Sequence, residues 1–286
     1  MAPQPYLRPG YLREVTVPGA LQTETPLPAG RRLWNQAWIR KSVLVLILLV
    51  VWELIARWQN NSLMFPGVID TLRAFTEDML SGELPGKIYN SLSLLIKGYL
   101  IGAVLSLVFS ALAVSSRIGR DLLNTLTAMF NPLPAIALLP LALLWFGLGS
   151  GSLIFVIVHS VLWPIALNTS SGFNSVSETL RMTGKNYGLS GPRYVVHILM
   201  PAALPSILAG LKIGWAFAWR TLIAAELVFG ASSGSGGLGW YIFQNRNELY
   251  TDHVFAGLLT VVIIGLLVEA VIFSGIEKLT VRRWKI

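Results

Sequence analysis

The chain of 286 residues contains no cysteine and only three histidines, and only 13% of its residues are charged. Without cysteine there is no disulfide framework, no thiolate zinc site and no cysteine nucleophile. His159, His197 and His253 alone remain for acid–base or metal chemistry. His159 has no second histidine or carboxylate at i+3 or i+4, so no metal is assigned. The charged fraction is about half that of an ordinary soluble domain. With 54% hydrophobic residues, a water-soluble domain is excluded. The apolar residues gather in stretches of roughly 17 to 25, the length of a membrane-crossing helix. The expected fold is an all-α polytopic membrane protein with about six transmembrane helices.

Residues 1–41 hold six prolines and no apolar run, so they read as a disordered cytoplasmic tail. They also lack the apolar centre of a cleaved signal peptide. At the end of the tail, Arg31, Arg32, Trp34, Trp38, Arg40 and Lys41 suit a short helix at the membrane interface. Residues 42–286 form the transmembrane domain, with spans expected at 42–58, 90–114, 122–146, 152–170, 202–229 and 254–275. Asn131, Pro132, Pro134 and Pro140 interrupt the third, which reads as a kinked helix, either beside a pathway or without transport role. If the amino terminus is inside, the outer loops carry only Arg57, Arg73, Lys87 and Arg246, and Lys97, Lys212 and Arg220 fall within spans. The rest of the 22 Lys and Arg residues lie on the inner side, which places both termini in the cytoplasm. Scattered over several segments, these cations are topology determinants and form no nucleic-acid stripe.

Two sequences imitate nucleotide sites. Gly234, Gly236 and Gly239 satisfy G-x-G-x-x-G, but no strand–turn–helix surrounds them, and they read as a flexible external turn. Gly184-Lys185 resembles the end of a phosphate loop, yet Thr179 and Asn186 stand where that motif needs Gly and Ser or Thr. No ATP site is expected in this chain. Residues 174–201 are more informative. A short helix over 174–187, a break at Gly188 to Gly191 and a second helix from Pro192, ending before Pro201, are expected. Such short helices need cover. They rest on the bilayer and neighbouring spans, or they form a docking element for a cytoplasmic partner.

Six ionisable residues fall inside the expected spans: Glu53, Lys97, Lys212, Arg220, Glu226 and Glu269. Charge in hydrocarbon is costly, so each is a functional candidate. Arg220, flanked by Trp215 and Trp219, suits attraction of a small anion; the alternative is pairing with Glu53, Glu226 or Glu269. Asn131, Trp215, Trp219, Arg220 and Glu226 are the candidate pathway residues. Gly98 with Gly102, and Gly210 with Gly214, form G-x-x-x-G pairs that serve packing within the chain or contact with a second copy. His159 reads as a hydrogen-bonded core residue.

The stretch from Arg181 to Pro201, RMTGKNYGLSGPRYVVHILMP, resembles the cytoplasmic loop of ATP-binding-cassette importer permeases, E-A-A, three residues, Gly, nine residues, I-x-L-P. Gly188, Ile198 and Pro201 fall on that spacing; Met182-Thr183-Gly184 occupy the E-A-A positions and Met200 replaces the leucine. VVWELIARW with the following Phe65-Pro66, NPLPAIALLPLALLWFGLG, WPIALNTSSGF and GLKIGWAFAWRTLIAAELVFG resemble the nitrate, sulfonate, taurine and bicarbonate subfamily, from about residue 43 to the end. The resemblance implies a type I importer permease of the bacterial inner membrane, a transport subunit and not an enzyme. Its ATPase-coupling residues would be Arg181, Met182, Thr183, Gly184, Gly188, Ile198 and Pro201. It further implies a second permease subunit, expected to be an identical copy, and a periplasmic or lipid-anchored substrate-binding protein. Two cytoplasmic ATPases would bind the ATP and Mg, leaving no cofactor in this chain. A different class, an ion-coupled secondary transporter using Glu53, Glu226 or Glu269, stays open, although no convincing internal repeat supports it.

Overall fold

The computed structural model describes residues 34–114, 116–229 and 236–280. Residues 1–33 of the expected tail and Gly234 of the glycine motif lie outside the described residues. Contacts divide the chain after Val51. In the first unit, the Arg40 Nη1 donates to the Trp34 carbonyl at 2.9 Å, and Trp34 and Trp38 are exposed. The helix α1 (Ala37–Gln59) begins there and covers the segment expected as the first span.

The second unit is built from helices throughout its described residues. α2 (Val68–Ser81) is short and amphipathic, and ends at Gly82 in the left-handed region. α3 (Glu83–Val114) and α6 (Ser150–Ser175) are long and apolar, as are α8 (Leu204–Phe229) and a 29-residue helix, Thr251–Leu279. That last helix comprises α10 (Thr251–Leu267), a π-helical turn Val268–Phe273 and α11 (Ser274–Leu279). Among the described residues these four are long and apolar enough to cross a membrane, and five spans result if one bent pair counts as one. The bent pair corrects the single kinked helix expected over 122–146. α4 (Arg117–Phe130) is joined to the helical stretch Ala135–Phe146, which includes α5 (Leu139–Phe146), through a bend of 89°. Two prolines cause it: Pro132 and Pro134 offer no N–H, and Leu133, preceding a proline, is driven out of the helical region. The short α9 (Leu238–Asn247) follows α8.

α6 lies between α3 and α8, and both partners meet it through glycine. A Cβ on Gly98 would lie 2.6 Å from Ile157 Cγ2, and one on Gly102 would lie 2.9 Å from Val161 Cβ. On the other side, Cβ atoms on Gly210 and Gly214 would meet Asn168 Cβ at 2.8 Å and Ile165 Cγ1 at 3.1 Å. Both G-x-x-x-G pairs therefore serve packing within the chain, the first of the two readings. Inside a bilayer no hydrophobic drive separates helix from lipid, so this close backbone approach is what holds the helices together. Ile157, Val161 and Ile165 are fully buried in the resulting core.

Overpacking this contact is expected to destabilise the protein. Gly98→Val costs about 1–3 kcal/mol, whereas Gly86→Ala, whose Cβ meets nothing within 4 Å, gains roughly 0.5–1 kcal/mol of helix preference. Thermal unfolding midpoints of the purified permease in detergent check both, and a Gly98→Val midpoint equal to wild type would contradict the packing.

Candidate functional site

The segment read as a coupling element folds as two helices crossing at a glycine. α7 (Glu178–Asn186) is capped by Ser177, whose hydroxyl accepts the Leu180 N–H. It ends where Gly188 turns left-handed at φ +72° and the Leu189 N–H donates to the Gly184 carbonyl at 3.1 Å, a glycine-terminated closure of the last turn. The second helix runs over 191–202 and includes a π-helical turn, Val195–Leu199. It does not stop before Pro201, as the sequence suggested. The Met200 N–H reaches back five residues to the Val195 carbonyl, and this widened turn accommodates a proline that an ordinary turn would reject.

Gly184 is buried, and a Cβ there would fall 2.8 Å from Ile198 Cγ1 and 3.1 Å from Tyr194. α7 thus rests directly on the 191–202 helix. Val195 and Leu199 of that helix pack with Phe173, Val176, Ala203 and Ile207. Arg181 completes the joint. Its Nε donates to the Val176 carbonyl at 3.1 Å and its Nη2 to the Phe173 carbonyl, so a cation closes the carboxyl-terminal end of α6, where carbonyls lack partners. Met182 and Thr183 are exposed on α7, with Leu180 and Tyr187. Of the seven residues singled out, Arg181, Gly184, Gly188, Ile198 and Pro201 shape the joint; Met182 and Thr183 face outward.

The candidate pathway residues divide into three places. Asn131 and Arg220 line one cavity of about 310 Å3 at the 131–134 break, with Phe130, His159, Ser160 and Trp163. Phe130 stacks on Trp163 with ring centroids 5.2 Å apart. Trp215 and Trp219 line a second cavity of about 370 Å3 with Lys212, Glu269 and, again, Arg220. Arg220 therefore stands between the two. It lies over the Phe217 ring at 5.3 Å and its Nε donates to the Ala216 carbonyl at 3.0 Å. Among the described residues it makes no ion pair, so the expected pairing with Glu53, Glu226 or Glu269 is not found. His159 also departs from expectation, since neither ring nitrogen finds a hydrogen-bond partner among the described residues.

Glu226 lines neither cavity. It is 2% exposed, accepts the Ser91 hydroxyl at 2.8 and 2.9 Å, and accepts the Gly239 N–H at 2.8 Å. Ser91 Oγ in turn accepts the Leu238 N–H at 2.8 Å. Carboxylate and hydroxyl thus satisfy the first N–H groups of α9, where negative charge is favoured. A Cβ on Gly239 would lie 2.5 Å from Glu226 Cβ, and Gly237 is equally crowded. Gly237 and Gly239 thus form a packed joint, so the flexible turn expected of the glycine motif does not extend to Gly239. Glu53 works in the same way: Oε2 accepts the Val68 N–H at 2.8 Å at the start of α2, while Arg57 donates to Oε1 at 2.9 Å. These engagements disfavour an ion relay through Glu53 or Glu226.

A further polar cluster had no sequence signal, because its members lie far apart in the chain. The Asp78 carboxylate on α2 accepts the Tyr241 hydroxyl of α9 and lies 2.6 Å from His253 Nδ1 of α10. Burial first, and then Asp78, push the Tyr241 hydroxyl well above its usual range, so it stays a donor at physiological pH.

A chain of long apolar helices, with a two-helix element between two of them, is a multi-pass membrane protein. Residues 98–285 match the family described as binding-protein-dependent transport system inner membrane component, and the chain belongs to that family. It is 32% identical to an Escherichia coli permease named for aliphatic sulfonates transport, over 78% of this chain and 83% of that protein. It is 30% identical to the nitrate import permease of Synechocystis, over 85% and 89%. To the taurine transport system permease of Escherichia coli it is 35% identical over 52% and 53%. These similarities bear out the resemblance carried by the motifs. The chain is a multi-pass transport component, not an enzyme, and its family implies an ATPase and a substrate-binding component as partners.

Glu226→Ala strips α9 of its cap and is expected to lower stability by about 1–3 kcal/mol. Glu226→Gln, which keeps an acceptor for the Gly239 N–H, recovers most of it. Thermal unfolding of the two purified variants separates the capping role from one that requires charge, in which both would fail alike.

Proposed function

We propose that this permease carries a small anion, an oxyanion or an organic sulfonate or carboxylate, inward past Arg220. The observation that carries this is a cation without an ion-pair partner among the described residues, set between two cavities beside the break at Asn131 to Pro134. Charge within a span is costly unless it meets a counter-charge, and a passing anion supplies one. The substrates named for the relatives have this chemistry.

In this reading both termini are cytoplasmic, residues 174–201 receive the ATPase, and two copies of the chain form the pathway above two ATPases that hold ATP and Mg. A binding protein delivers substrate from outside. ATP-driven closure of the ATPases draws the two coupling segments together and shifts the spans from inward-facing to outward-facing, a rigid-body response to differential binding. Hydrolysis resets it. The outward Met182 and Thr183 meet the motor, while Arg181 and Gly184 transmit the movement.

Two measurements test this. Arg220→Ala is expected to lower substrate-stimulated transport by about tenfold or more, the worth of one charge-assisted contact, while assembly with the ATPase persists. Equal loss of transport and assembly would leave Arg220 a structural role only. The cysteine-free chain permits a single Thr183→Cys probe. With the permease produced without its ATPase, it should react with a membrane-impermeant maleimide in inside-out vesicles and not in intact cells; the reverse pattern overturns the orientation.

A further inference from the structure

A third concavity lies away from both cavities described above. About 500 Å3 in volume, it is walled by Leu112 at the end of α3, by Arg120 in the first turn of α4, and by Arg181, Lys185 and Tyr194 of the 174–201 segment. Among the described residues no carboxylate lines it. The adjoining concavity of about 360 Å3 shares the three cations and adds one acid, Glu178. Arg181 and Lys185 are one turn apart on α7 and so share a face, whereas Leu180 and Tyr187 lie on the opposite one. Arg181 uses two of its donors on the end of α6. Among the described residues neither Arg120 nor Lys185 has an ion-pair partner. Three cations converge here, and Glu178 is the one acid among the described residues that line either concavity.

What adjoins these cations identifies the ligand. Leu112 is 62% exposed, and Val108 and Phe109, one turn earlier on the same face of α3, are exposed as well. The apolar face of a membrane helix therefore runs directly into a cationic pocket. α3 has 32 residues and a length of about 48 Å, which exceeds a hydrocarbon core of about 30 Å, and the cations beside Leu112 suit headgroup level at that end. A free phosphate would use the cations and leave the apolar face unexplained; an amphiphile uses both.

We propose that this pocket holds the phosphate of an anionic phospholipid, with its acyl chains along Leu112, Val108 and Phe109, and that the lipid joins α7 to α3 and α4 at the membrane surface. With the orientation proposed above the lipid belongs to the inner leaflet, where anionic headgroups attract juxtamembrane cations. Binding itself does not depend on the leaflet, so the following test can fail without the orientation failing.

The complete transporter, permease with its ATPase, is exchanged into phosphatidylcholine nanodiscs containing a minority of phosphatidylglycerol, and the lipid retained after extraction is read by native mass spectrometry. Each cation near an anionic surface is worth about fivefold in binding. Retention of phosphatidylglycerol over phosphatidylcholine is expected to fall about fivefold in Arg120→Gln and roughly 30-fold when Lys185→Gln is added. Arg120→Lys, which keeps the charge, should retain it. Unchanged retention in the double variant overturns the proposal. So does displacement of the lipid by inorganic phosphate, which marks a free-phosphate site, and so does loss of ATPase co-purification in Arg120→Gln with lipid unchanged, which marks a protein-docking surface.

Discussion

The structure depends on the grip of two glycine-grooved helices on α6. Between helices in a membrane, dispersion and close approach replace the hydrophobic effect as the source of cohesion. Gly98 and Gly102 on α3 receive Ile157 and Val161, while Gly210 and Gly214 on α8 receive Asn168 and Ile165. One helix thus fills two grooves, and everything attached to its ends inherits their geometry. Pro164 within α6 removes one backbone bond, and nearby Asn168 and Ser160 side chains donate to the Pro164 and Ile157 carbonyls at 2.8 and 2.7 Å.

Charges within the helices do two different jobs. Glu53 and Glu226 both end up at the starts of short helices, α2 and α9. The N–H groups of a helix start must be satisfied, and a carboxylate does so while meeting the positive end of the dipole. Arg220 has no such employment among the described residues: it donates to the Ala216 carbonyl and lies over the Phe217 ring. The distinction between a charge that closes the protein's own backbone and one left to meet something else is what separates structural from pathway candidates here.

Much of this was legible in the sequence, and the failures are instructive. Apolar runs located the long helices because length and hydrophobicity suffice for a span. Gly188 announced the turn in the coupling segment, as a glycine is the natural residue for a left-handed closure. Asn131, Pro132 and Pro134 signalled an interruption, but their spacing could not reveal a right-angle bend, which follows from two missing donors and the restriction on Leu133 acting together. Pro201 was read as a stop because sequence alone does not announce a π-helical turn. The role of Glu226 was invisible for another reason: its partner Ser91 lies 135 residues away. The Asp78, Tyr241 and His253 cluster was missed on the same ground, since long-range pairing has no local signal.

The same grip gives the proposed coupling a physical route. α6 carries His159, Ser160, Trp163 and Pro164 on the wall of the Arg220 cavity, and its last carbonyls are those that Arg181 holds. A pull on α7 therefore acts on the end of the helix that shapes the cavity, not through a flexible linker. α6 has no slack sideways, because a shift toward either partner brings its side chains onto backbone at the glycines. Movement along its axis, or rotation of α6 together with α3 and α8 as one block, keeps those contacts. Packed interfaces respond to a load by changing between discrete arrangements more readily than by bending. Under that constraint the compliant part of the cavity is its other wall, the bend at 131–134. In the proposed cycle a block of α3, α6 and α8 shifting against that bend changes the access to Arg220.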